Sequence, residues 1–81
     1  MVVHMEKRID IDINWSYKEI VNHIEALKSQ YVEFLSPFFN SKKIVEWRDK
    51  IYSLKMEEWR RDRLWEYLNG DIELDVLQKL I

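Results

Sequence analysis

Cysteine is absent from the chain, and glycine and proline occur once each in 81 residues. Without thiols there can be no disulfide framework, no thiolate metal site and no cysteine nucleophile. A single glycine leaves no glycine-rich phosphate loop and few turns that need a positive φ. No apolar run approaches the ~18 residues of a membrane span, which excludes a transmembrane reading. An excess of one charge is also missing, since 13 Lys and Arg stand against 15 Asp and Glu. With 47% hydrophobic residues, the composition is that of a globular chain rather than a disordered one.

What is present fits one small helical domain over residues 1–81. A chain this short buries only about 60–65% of its unfolded surface, so its core is small and oligomerisation is a common source of added stability. The start, Met1-Val2-Val3-His4-Met5, runs straight into Glu6-Lys7-Arg8. It has no apolar stretch of signal-peptide type, so the expected compartment is the cytoplasm. Residues 1–7 are expected to be flexible, with residues 1–4 readable as a cloning scar ahead of a start at Met5.

Period-two alternation over Arg8-Ile-Asp-Ile-Asp-Ile13 predicts an extended segment or strand with Ile9, Ile11 and Ile13 on one side. Ser16-Tyr17-Lys18-Glu19 then has the capping-box spacing, with Trp15 and Ile20 placed as a hydrophobic staple. Tyr17, Ile20, Val21, Ile24, Leu27, Tyr31, Phe34 and Leu35 follow at helical spacing. Pro37 ends this helix near Leu35, because it lacks an N–H and drives Ser36 out of helical geometry. Phe38 and Phe39 are expected to fold back onto the core, with Asn40 or Ser41 capping the next helix.

Nothing between Lys42 and Asn69 breaks a helix, and Gly70 suits the position just past a helix end. The pattern therefore predicts one long second helix, antiparallel to the first. Its apolar residues do not form a single stripe. Ile44, Trp47, Ile51 and Leu54 share one side, whereas Tyr52, Met56, Trp59 and Tyr67 share another, about a quarter turn away. Beyond Gly70, residues 71–81 read as a short helix capped by Asp71, or alternatively as a strand.

Several constellations could carry chemistry. Glu58, Asp62 and Glu66 line one helix face, but no Glu-x-x-His motif accompanies them, and bases at contact spacing favour a solvated ionic stripe over a metal site. His23 sits at the edge of the first helix's stripe, with no nucleophile or His-Glu-x-x-His motif to make it catalytic. No cofactor site is expected. Residues 41–63 combine eight bases and five acids with Trp47 and Trp59. Cations at helical spacing (Lys43 to Trp47, Lys55 to Trp59 to Arg63, Arg61 to Trp65) can cover half-buried rings. Alternatively, Lys42, Lys43, Arg60, Arg61 and Arg63 could contact nucleic acid, with the aromatic rings stacking on bases. A strand before two helices is also the order of ribbon–helix–helix DNA binders. Here, however, Asp10 and Asp12 would face the phosphates.

The expected molecule is therefore mainly α: an antiparallel helical hairpin, a short C-terminal helix and an N-terminal extended segment, with two copies forming a dimeric bundle. The expected function is non-enzymatic protein binding through Tyr52, Met56, Trp59 and Tyr67, with a nucleic-acid-associated regulator as the alternative.

Overall fold

A computed structural model describes residues 9–35 and 41–80. The chain is mainly helical, with α1 (Tyr17–Leu35), α2 (Ser41–Tyr52), α3 (Glu58–Leu68) and α4 (Leu74–Lys79) in order. Among the described residues, no helix is long and apolar enough to cross a membrane. The expectations for residues 1–8, for Phe38, Phe39 and Asn40, and for Ile81 lie outside the described residues.

The first helix begins and ends where the sequence places it. Glu19 N–H donates to Ser16 Oγ, and Ser16 N–H donates back to Glu19 Oε1, both at 3.3 Å. The predicted stripe from Tyr17 to Tyr31 is buried. Trp15, placed by the sequence to staple onto Ile20, packs against the core and stacks on His23, with ring centroids 4.9 Å apart. Before it, residues 9–12 form no strand. Asn14 N–H donates to Asp12 Oδ1 at 2.8 Å and Trp15 N–H to Asp12 O at 3.0 Å, so the chain turns before a third isoleucine can face inward. Ile11 is accordingly buried while Ile13 is exposed.

The principal correction concerns the second helix. It is not continuous from 42 to 69: the chain leaves helical geometry at Ser53 and re-enters it at Glu58. Side-chain contacts give the directions. Phe34 meets Lys43 and Tyr31 meets Trp47, so α2 runs antiparallel to α1. Tyr17 meets Arg60, Lys28 meets Tyr67 and Tyr31 meets Asn69, so α3 runs parallel to α1. Residues 53–57 thus reverse the chain, and the hairpin of two long helices is replaced by an up-down-up arrangement. α4 then packs back on α3, where Tyr17 Oη donates to Leu77 O at 2.8 Å.

Burial explains why the chain reverses. On a straight helix Leu64 and Leu68 would lie about 100° around the axis from Trp47 and Ile51, more than one flanking helix can cover. Turning back brings all four against α1, where each is at most 2% exposed. The end of α3 has the local signals expected. Gly70 adopts φ +82°, its N–H donates to Tyr67 O at 3.0 Å, and Asp71 N–H donates to Glu66 O at 2.9 Å, the paired bonds of a Schellman motif. The expected short C-terminal helix is present as α4, but Glu73 rather than Asp71 occupies its N-cap position, without a side-chain capping bond.

Candidate interaction site at the α2–α3 elbow

The reversal at 53–57 is an elbow built from polar contacts. Ser53 Oγ donates to Asp49 O at 2.6 Å, and Lys55 N–H donates to Ile13 O at 3.3 Å. The Tyr52 carbonyl, the last of α2, has no helical partner once the chain turns. Arg61 supplies one: its Nη1 lies 2.8 Å from Tyr52 O and 3.4 Å from Leu54 O. Tyr52 Oη donates to Asp62 Oδ1, and the Arg48 and Arg61 guanidinium groups lie over the Tyr52 ring, each 6.0 Å from its centroid.

Beside this lock lies an apolar margin, flanked by the exposed Ser53, Lys55 and Glu57. Trp59, in the first turn of α3, is 45% exposed and Ile13 37%. Met56 and Tyr52 are half-buried, packed against the margin of the core. Arg60 lies 5.1 Å from both the Trp59 and the Tyr17 ring centroids and 3.3 Å from Glu57 Oε2, so it fixes the base of the exposed indole.

Three of the four residues expected to form an interface are therefore gathered at one end of the molecule. Tyr67 is not among them. It is buried near the far end of α3, with Lys28 Nζ 4.4 Å above its ring. One continuous helical face needs a straight helix, and the reversal divides it. The basic residues divide likewise: Lys42 and Lys43 stand at the start of α2, the far end from Arg60, Arg61 and Arg63. Lys43 pairs with Glu46 at 3.1 Å and Arg63 with Glu66 at 2.9 Å, while Arg61 is committed to carbonyls. The expected cation–ring pairs also differ, since Lys43 covers Phe34 and Trp47 is fully buried.

Among the described residues, no three His, Asp or Glu side chains converge as metal ligands. Asp62 is held by Tyr52 and Glu66 by Arg63. A wide, open groove of about 520 Å³ runs along Glu25, Lys28, Ser29, Val32 and Tyr67. Sequence reasoning missed Arg61 as a cap and Ile13 as a neighbour of the elbow. The available signal was Ser53, whose hydroxyl competes for a helix carbonyl, followed by acids where the Trp47 stripe should have continued.

All four tyrosines ionise above their usual range. Burial raises Tyr17, Tyr31 and Tyr67, and the hydrogen bond to Asp62 is the largest cause at Tyr52. A raised phenol favours the protonated form in the folded state, so its contribution is complete below pH 10 and is lost as pH climbs through the folded value. The melting temperature is therefore expected to fall from about pH 10 upward, with up to about 1.4 kcal/mol lost per pH unit for each proton the fold retains. Melting curves from pH 8 to 11.5, paired with phenolate absorbance, test this. Stability unchanged while phenolate forms in the folded protein would refute it.

Comparison with protein-family models, with curated proteins and with solved structures returns no match.

Proposed function

We propose that the chain is a non-enzymatic protein-interaction module of the cytoplasm that acts through its aromatic elbow and whose first partner is a second copy of itself. The observation that carries this reading is Trp59, which is 45% exposed in the first turn of α3, beside the contacts of Arg61, Asp62 and Arg60 that close the elbow. Tryptophan supplies large contact area at low entropic cost, and rigid aromatic anchors dominate binding energy at interfaces. Met56 and Ile13 extend the apolar surface, while Arg60 and Glu57 give it a charged rim that sets orientation.

Molar mass across a concentration series is the test. The wild-type chain is expected to pass from monomer to dimer. Trp59→Ala is expected to weaken that association by about 30-fold, the effect of a central anchor worth about 2 kcal/mol. Its thermal stability should stay within about 0.5 kcal/mol of wild type, since the indole is a surface group. An unchanged dissociation constant in Trp59→Ala would remove the elbow as the contact. Nucleic-acid binding that falls steeply with salt would point to the alternative partner class.

A further inference from the structure

We infer that the elbow is a hinge, and that the second copy is engaged by exchange: residues 53–57 straighten, α2 and α3 fuse into one helix, and α3–α4 of each chain pack on α1–α2 of the other. This builds on the self-association proposed above and supplies its geometry.

Two of the described helix ends carry strong local signals, the Ser16–Glu19 box at the start of α1 and Gly70 after α3. At the elbow both are missing. Ser-Leu-Lys-Met-Glu contains no helix breaker, and Glu57, the N-cap residue of α3, makes no side-chain capping bond. At the C-terminus of α2 the Ser53 and Leu54 amides reach the Asp49, Lys50 and Ile51 carbonyls, but the last carbonyl, that of Tyr52, is taken by Arg61 from the next helix. Local preference thus favours a continuous helix, and long-range contacts impose the bend.

Those contacts can all be exchanged or released. The burial of Leu64, Leu68 and Leu77 against α1 and α2 is identical whether the partner elements belong to the same chain or to another, which is why swapping is a low-cost route to a dimer. Only the elbow contacts are peculiar to the bent form. On a straight helix Tyr52 and Asp62 would stand about 15 Å apart along the axis, so their bond can exist only in the bent chain. Straightening also places Tyr52, Met56 and Trp59 on one side of a single helix, the continuous face that the reversal divides. In the exchanged pair the two straightened hinges run beside each other, and this face becomes the new contact between them.

Glu57→Pro is the decisive variant. Glu57 has φ −60°, within the range proline imposes, and proline retains the carbonyl that accepts from the Arg60 and Arg61 amides. A continuous helix cannot hold proline there without losing the bond to Ser53 O and clashing with it. Arg61→Met, which keeps the stem but removes the cap, acts in the opposite direction. By molar mass across a concentration series, Glu57→Pro is expected to be monomeric, and Arg61→Met to show a several-fold larger dimer fraction than wild type. Amides of residues 54–58 should exchange with deuterium more slowly in isolated dimer than in monomer. A dimer that persists in Glu57→Pro, with amides 54–58 as labile as in the monomer, would overturn the exchange while leaving docking through Trp59 in place. A monomer at every concentration in both wild type and Arg61→Met would overturn self-association itself.

Discussion

Replacing Trp47 with alanine is expected to cost a large share of the folding stability. The indole is fully buried at the centre of the molecule. Tyr31 meets it edge-on at 5.5 Å and Phe34 tilts against it at 6.2 Å, while Trp65 reaches the same Tyr31 at 5.8 Å from α3. One side chain thus joins α1 and α2 and, through Tyr31, α3. Burying a tryptophan and then deleting it costs about 3–5 kcal/mol, because neighbours relax only partly into the space. A chain of this length has a total stability of roughly 4–12 kcal/mol, so the loss consumes much of it. Urea denaturation followed by circular dichroism checks the magnitude.

Trp47→Phe separates packing from polarity. The indole Nε1 is buried without a hydrogen-bond partner among the described residues, a cost of about 1–3 kcal/mol that phenylalanine removes. Its loss should therefore be well below that of the alanine variant. Equal losses would show that the cavity alone governs the site.

The second large effect is expected for Arg61→Met. The substitution keeps the aliphatic stem but leaves the Tyr52 carbonyl without the guanidinium that satisfies it, while the Leu54 carbonyl keeps the Met56 N–H at 3.0 Å. An orphaned acceptor at a half-buried elbow costs about 1–3 kcal/mol. The loss should also be local. Amides of residues 52–58 should become more labile to hydrogen exchange than those of α1 in the monomer, because the elbow opens before the core does. Arg63→Met is the control. Its ion pair with Glu66 is partly exposed and, like most surface pairs, should be worth less than about 1 kcal/mol. If both variants lose the same small amount, Arg61 is an ordinary surface arginine and the elbow is held by burial alone.

The weak point of the fold, residues 53–57, thus lies beside the proposed contact surface at Tyr52, Met56 and Trp59. Trp47 is fully buried whereas Trp59 is 45% exposed, so stability and association should respond to different substitutions. Trp59→Ala should change association and spare the melting temperature, and Trp47→Phe should do the reverse.

The sequence by itself determined what depends on neighbours a few residues away. The α1 stripe, its capping box, its end before Pro37, the Gly70 stop and a short helix after it all follow from contacts within about one helical turn. The exposed Trp59 was legible only as one of several aromatic residues set among charges, and its exposure belongs to the folded chain. The reversal between Ser53 and Glu57 was decided by tertiary structure. Local propensity runs straight through those residues, and the chain turns because Leu64 and Leu68 find burial against α1 only by doing so. The same cause moved Tyr67 from a supposed contact face into the core and set Arg61 on the carbonyls of α2. Helix termini obey nearby residues, whereas the direction in which a helix is sent obeys the surface it must cover.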